Sequence, residues 1–507
     1  MVLKIIALIV FFGIMIGVGV YSKKKITNTN DFVLGGRAVG PWVTAFSYGT
    51  SYFSAVVFIG YAGQFGWKFG IASTWIGLAN AFIGSLLAWR LLGRRTRVMT
   101  NYIGASTMPE FFGKRFESKA LRIAASFITF IFLIPYTASV YNGLSRLFGM
   151  AFNIPYEACV IGMAVLTGVY VVLGGYMASS ITDFIQGIIM LVGIVSVIVA
   201  VLSGHGGFTE ALIKLANVQD PAISTPGVFA SFFGPDPLNL LGVVILTSLG
   251  TMGLPQMVQK FYAIKDERSI KTGTIVSTFF AIVIAGGSYF LGGFGRLLSG
   301  NSNILDENGA VAYDTIIPTM LAPLGDLLIG IVVVLVLSAS MSTLSSLVLT
   351  SSSTLTLDFI KPVLAKKMDN KKQLLSMRIL IVFFIALSII ISLNKNTFIA
   401  QLMGYSWGAL AGSFLGPFIY SLYSKKITKA AVWSSFATGV GITVTNMIFG
   451  YIKSPINAGA IAMVLSLIIV PLVSLITPKM KKESVESIFD CFRQVVTVSK
   501  KQSLEEE

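Results

Sequence analysis

"LLIGIVVVLVLSASMSTLSSLVLTSSSTLTL", residues 327–357, is apolar enough to cross a bilayer, yet hydroxyls crowd its centre. Ser338, Ser340, Ser342, Thr343, Ser345 and Ser346 all fall within "SASMSTLSSL", residues 338–347. Serine and threonine are tolerated in membrane helices because each can donate to its own i−4 carbonyl. That accounts for one or two such residues, not for this density. On a helix, positions 338, 342, 345 and 346 share one face, with Thr343 beside it. The stretch therefore reads as a membrane helix presenting a row of oxygen ligands.

The rest of the chain supports the membrane reading. Of 507 residues, 54% are hydrophobic and only 12% charged, with a mean hydropathy of +0.80. Soluble proteins carry about 25% charged residues. The apolar mass lies in runs of about 20 residues, each long enough to span ~30 Å of hydrocarbon. The fold class is an all-α polytopic membrane protein of about thirteen crossings. These are expected near 2–21, 42–65, 70–92, 121–147, 156–174, 182–202, 238–258, 272–298, 326–355, 374–393, 399–422, 430–450 and 457–476, numbered helix 1 to helix 13. The N-terminal run has no small-residue cleavage site and reads as a retained helix with its N-terminus outside.

Charge tests the count independently. With Lys23–Lys25 cytoplasmic, alternate loops hold the clusters Arg94–Arg97, Lys114–Arg122, Lys260–Lys271, Lys361–Lys372 and Lys425–Lys429. The other loops hold scattered cations: Lys68, Arg146, Lys214, Arg296, Lys395 and Lys453. Basic residues are expected to concentrate on the cytoplasmic side in this way. The net charge of +16 is then topology and attraction to the inner leaflet rather than a nucleic-acid footprint. The C-terminal tail, 479–507, is read as cytoplasmic, with an amphipathic piece at "VESIFDCFRQVV" lying on the membrane or on the protein's own loops. Cys159, Cys491 and His205 form neither a disulfide framework nor a metal cluster. "LGGFGRLL", residues 291–298, lacks the lysine and hydroxyl of a phosphate-binding loop.

Two helices look breakable. Helix 2, "TAFSYGTSYFSAVVFIGYAG", gathers Ser47, Gly49, Thr50, Ser51 and Ser54 in its first half. Helix 7, "VVILTSLGTMGLPQMVQ", carries Gly250, Thr251, Gly253 and Pro255. Small residues also allow close helix packing, but two such clusters five helices apart are the mark of inverted repeats. The expected units are an extra helix at 1–21, a first repeat at 42–202 (helices 2–6), a second at 238–422 (helices 7–11) and two further helices at 430–476.

Backbone that leaves helical geometry inside a membrane lines a cavity, where its free carbonyls become ligands. A hard monovalent cation such as Na+ suits several neutral oxygens. Ser342 and Thr343 are therefore expected to donate side-chain oxygens to sodium, with carbonyls from the broken part of helix 2 completing the shell. Asp183, opening helix 6 in "SSITDFIQG", is either an N-terminal cap or a functional acid. If it approaches Ser345 and Ser346, a second cation site forms. Glu110 and Asp358, nearer helix ends, read as interface residues.

On these residues the chain resembles the sodium/solute symporter family, in the branch around the sodium/proline symporters. "DFVLGGRAVGPWVTAFSYGTSYFSA", "GGYMASSITDFIQ" and "SASMSTLSS" carry the resemblance, which runs from about Val2 to Pro478. It implies a thirteen-helix, leucine-transporter-type 5+5 inverted-repeat fold working by alternating access. It also implies a first sodium site from the carbonyls of Thr50, Phe53 and Ala339 with the hydroxyls of Ser342 and Thr343. A second sodium site would use Asp183, Ser342, Ser345 and Ser346. The chain departs from proline symporters at Tyr52, where they carry an acid, and it lacks the arginine that sialic-acid members place in helix 4.

Substrate contacts are expected from Tyr52, Ser54, Tyr141 and the helix 7 break from Thr251 to Gln256, with ordinary aromatic packing the alternative for the two tyrosines. The expected function is sodium-coupled import of a small organic solute, a proline-like amino acid or small carboxylate. The alternatives are a sugar, sialic acid or vitamin-type solute and, lower, a solute sensor or a channel; no enzyme activity is expected. Sodium is the coupling ion and the lipid bilayer the surroundings. At 100 mV one charge carries about 2.3 kcal/mol and a tenfold sodium gradient adds about 1.4, so one ion can concentrate a neutral solute about 500-fold and two about 10⁵-fold.

Overall fold

In the computed structural model, residues 2–23, 28–37, 39–220, 223, 225–393 and 398–494 are described. Lys24, Lys25, Lys395 and the tail beyond 494 lie outside them. Among the described residues, ten helices are long and apolar enough to cross a membrane. They include Lys119–Phe152 (helix 4), Tyr156–Leu173 (helix 5), Gly175–Gly204 (helix 6), Asp326–Leu364 (helix 9) and Asn370–Ser392 (helix 10). One run, Val56–Tyr102, joins the second half of helix 2 to helix 3 through a tight turn at Gly70, where φ is +62°. Helix 1 (Val2–Lys23) and helix 11 (Ile399–Tyr423) fall where the sequence places them.

One boundary differs in a way that matters. The sequence starts helix 6 near residue 182, with Asp183 opening it. In the structure the reversal is made at Gly175, with φ 53° and ψ −149°, where a Cβ would strike the Phe32 ring at 2.6 Å. Glycine alone enters that backbone region cheaply. Helix 6 therefore begins two turns earlier, and Asp183 lies well inside it rather than in its first turn. The N-cap reading of Asp183 falls with that shift.

Loop contacts divide the bundle into two ends that alternate along the chain. At one end Arg95 donates to Leu422 O at 2.8 Å, Arg97 to Ile264 O, and Arg115 to Ser421 O and Ser424 O at 3.4 and 3.3 Å. Arg37, in the loop before helix 2, reaches Ala105 O at 2.7 Å and Tyr262 O at 3.3 Å. Burial pulls its pKa down to about 10, so it stays charged at neutral pH. These guanidiniums are not merely topology signals: they cap carbonyls that helix ends and turns leave unpaired. The amphipathic tail helix Lys482–Phe489 docks at this end. Val485, Phe489 and Cys491 are buried there, and Arg115 and Arg95 sit over the Phe489 and Phe492 rings at 5.1 and 4.7 Å. Of the two surfaces expected for this piece, it has taken the protein's own loops.

At the opposite end the Arg296 guanidinium lies between the rings of Trp67 and Phe229, at 4.4 and 4.2 Å. It donates to Trp67 O at 2.6 Å and pairs with Asp220 at 2.7 Å. A planar, stacked, doubly bonded guanidinium is not replaceable by an ammonium. Arg296→Lys should cost about 2 kcal/mol, read as a lower melting temperature of the purified protein. An unchanged melting curve would show that the stacking contributes nothing.

Three buried acids lie among the described residues: Asp183, Asp314 and Asp358. Asp358 is fully buried in the protein. It pairs with Arg122 at 2.7 Å and accepts from Thr107 at 2.6 Å, because helix 9 continues as a π-helical turn, Thr356–Leu364, beyond the end read from hydropathy. Asp314, on the short helix Tyr313–Leu321, accepts from the backbone N–H of Ile399 at 3.2 Å, and burial pushes its pKa up to about 6. Glu110 bonds Lys114 and Arg122, each at 3.2 Å.

Candidate functional site

Helix 2 breaks where its small and hydroxyl residues gather. The helix Pro41–Tyr52 stops at Phe53, whose backbone is extended (φ −103°, ψ 122°), and the chain resumes as a π-helical turn, Val56–Tyr61. The break strips backbone groups of their helical partners, and inside a membrane such groups must be satisfied by something else. Helix 9 does this. Ser342 Oγ donates to Thr50 O at 2.9 Å and Ala339 O at 3.0 Å. Thr343 Oγ1 lies 3.3 Å from Ser51 O, 3.3 Å from Phe53 O and 3.2 Å from Ala339 O. On the other side of the break, the N–H of Ala55 donates to Ser340 Oγ at 3.3 Å.

The five oxygens expected at the first cation site are thus brought together, and all five residues are buried. Their chemistry suits a hard cation: three carbonyls and two hydroxyls, with no formal charge to desolvate. An oxygen-ligated ion of calcium's size, which sodium approximates, holds its ligands at about 2.3–2.6 Å and so separates neighbouring oxygens by roughly 3.3–3.7 Å. The hydrogen-bonded spacings here, 2.9–3.3 Å, need only a few tenths of an ångström of spreading.

The residues expected at a second site meet differently. Ser345 Oγ bonds Ser179 Oγ at 2.8 Å and donates to Ser342 O at 2.9 Å, while Ser346 Oγ bonds Ser51 Oγ at 2.9 Å. Asp183 is not joined to either serine. Its Oδ2 accepts from Ser47 at 2.6 Å and pairs with Lys260 at 3.5 Å, and Lys260 Nζ also donates to Ser47 at 2.8 Å. Lys260 lies 5.0 Å above the Tyr176 ring and is buried. The sequence reading put Lys260 in a basic loop. It stands instead in the second half of helix 7, Pro255–Tyr262, which resumes after the break at Thr251–Leu254 and carries the lysine inward. A buried acid needs a partner; a search for the counter-ion of Asp183 among the lysines beside an apolar run would have found it.

The candidate substrate residues are all buried, with Tyr52, Ser54, Thr251 and Gln256 at the two breaks and Tyr141 on helix 4. Tyr52 OH donates to Thr247 O at 3.1 Å, tying helix 2 to helix 7. Ser54 Oγ accepts the N–H of Val56 at 3.2 Å. Thr251 Oγ1 donates to Gly84 O at 3.1 Å and Ser248 O at 3.0 Å. Tyr141 OH and Gln256 Oε1 are buried without a hydrogen-bond partner among the described residues. Sequence reasoning missed Trp407 of helix 11. Its ring lies 6.2 Å from Tyr52 and 5.8 Å from Tyr136, and a Cβ on Gly250 would meet it at 2.8 Å. Its indole N–H is likewise unpaired. An aromatic wall therefore flanks the helix 7 break. Nothing in the periodicity of helix 11 marks Trp407, because that helix is buried on most sides.

The family model described as the sodium:solute symporter family matches residues 32–439. The chain is similar to the osmoregulated proline transporter OpuE of Bacillus subtilis, with 28% identity over 95% of this chain and 96% of that protein. It is also similar to the sodium/proline symporter of Staphylococcus aureus, with 30% identity over 87% of this chain and 85% of that one. Among solved structures it resembles a Na+-coupled sialic acid symporter in a substrate-bound, outward-open state, with a TM-score of 0.71 and 16% identity, covering 95% of this chain and 99% of the other. Mhp1, a nucleobase-cation-symport-1 family transporter, follows with a TM-score of 0.54 and 14% identity, covering 92% and 99%. The fold is of the leucine-transporter type.

Proposed function

The chain belongs to the sodium:solute symporter family and is a sodium-coupled symporter of the membrane, and from that premise we propose that it imports a proline-like amino acid with sodium held at the break in helix 2. One observation carries the ion reading: Thr50 O, Phe53 O, Ala339 O, Ser342 Oγ and Thr343 Oγ1 gather around a backbone interruption. The two breaks, five helices apart, support the division into repeats at 42–202 and 238–422. Sodium stiffens the junction between helix 2 and helix 9, and the solute closes against helix 7.

For the solute, the support is the relatives named for proline and the wall of Tyr52, Tyr136 and Trp407 beside the helix 7 break. A small ring with a cationic nitrogen packs well on aromatic faces. The unpaired Tyr141 OH, Gln256 Oε1 and Trp407 N–H are buried polar groups for which a bound solute supplies partners. The end of the bundle rich in arginine carbonyl caps is assigned to the cytoplasm of the cell membrane, which puts the N-terminus outside and the C-terminal tail inside.

Purified protein in proteoliposomes should accumulate labelled proline against its gradient under an inward sodium gradient and an inside-negative potential, and stop when the sodium gradient is dissipated. Accumulation of none of the small amino acids or carboxylates tested would overturn the solute assignment. Uptake without accumulation would point to a channel.

A further inference from the structure

Lys260 has no part in the sodium site just described, yet it is a cation buried within the bundle. It joins three elements: Ser47 on the first half of helix 2, Asp183 on helix 6, and its own second half of helix 7. The second-ion reading requires Asp183 to face a metal ion together with Ser345 and Ser346. In the structure the acid faces an ammonium, and the two serines are engaged with Ser179 and Ser51. The other carboxylate oxygen, Asp183 Oδ1, is buried without a partner among the described residues, so the acid has coordinating capacity left. What excludes sodium is charge. A metal ion brought to Asp183 beside Lys260 would set two cations against one carboxylate in a water-poor interior, where like charges repel far more than in water.

Resting on the sodium-site reading above, we infer that Lys260 is a tethered cation standing where a second sodium ion would balance Asp183, which sets the cycle at one sodium per solute. The lysine moves with its helix but never leaves the protein, so it adds no driving force. The transporter would then concentrate a neutral solute about 500-fold under the gradients considered above rather than about 10⁵-fold.

The test is equilibrium binding of radioactive sodium to purified protein, with choline holding ionic strength constant, alongside the sodium-to-proline flux ratio in proteoliposomes. The wild-type protein should bind one sodium and move one per proline. Lys260→Met should bind two, and Lys260→Met with Asp183→Asn should return to one. Lys260→Arg should stay at one. Two sodium ions in the wild type, or one in a folded Lys260→Met protein, would overturn the inference.

Removing one partner of a buried pair is strongly destabilising. Should Lys260→Met fold only in high sodium and not in choline, a metal ion is replacing the lysine and the inference stands. Should it fold in neither, the wild-type flux ratio decides: one supports the inference and two overturns it. No sodium binding at all in the wild type would instead remove the sodium-site reading on which it rests.

Discussion

Ser342→Ala combined with Thr343→Ala should abolish sodium-dependent uptake over any practical sodium concentration. The pair removes two of five oxygens, and each hydrogen-bond-like contact to a charged partner is worth about 1.5–3 kcal/mol. Together that is a loss of at least about 10²-fold in sodium affinity. The same hydroxyls serve Thr50 O, Ser51 O and Phe53 O around the helix 2 break, so the variant should also melt at lower temperature in the absence of sodium. The two effects separate by measurement: melting without sodium reads the structural part, and its upward shift on adding sodium reads binding. Ser352→Ala removes a hydroxyl that only back-bonds to Leu349 O on the same helix and should change neither. Uptake by the double variant with the wild-type dependence on external sodium would eliminate the site.

The second large effect concerns the crossing of helix 2 and helix 8, the latter within Arg268–Leu298. A Cβ added at Gly66 would lie 1.9 Å from Gly292 O, and one at Gly292 would lie 2.1 Å from Ala62 O. Both obstacles are backbone atoms, which cannot rotate aside as a side chain can. Overpacking usually costs about 1–3 kcal/mol, and a clash between two backbones should exceed that range. Gly66→Ala is expected to give little folded protein after extraction in detergent, and what survives should melt well below the wild type. Gly17→Ala, on helix 1 with nothing near its Cβ position, is the matched control and should be neutral. Equal melting temperatures for the Gly66 variant and the wild type would mean that the two helices do not approach this closely.

How much of this was legible beforehand varies by element. The hydroxyl cluster of helix 9 was legible as a buried row of oxygens, since its density exceeds what back-bonding explains, and part of it meets helix 2. The break in helix 2 was legible from its small and hydroxyl residues, and Ser342 and Thr343 do meet the freed carbonyls. The start of helix 6 was placed too late because hydropathy weighs polarity, whereas the reversal depends on one backbone conformation, at Gly175. Lys260 was misplaced for a related reason: a charge beside an apolar run looks like a loop residue until its partner, distant in sequence, is seen.

Hydrophobic periodicity, charge asymmetry and small-residue clusters determine, without coordinates, that this chain is an alternating membrane bundle with interrupted helices and an oxygen-rich ninth span. These properties are local, because the bilayer imposes the same length and polarity rule on each segment separately. Only the tertiary structure decided which groups face one another: Lys260 rather than a serine pair beside Asp183, Trp407 beside Tyr52, and Arg122 against Asp358. Pairings of buried charges and rings depend on separations of a few ångströms between residues far apart in the chain. No pattern along one helix encodes them.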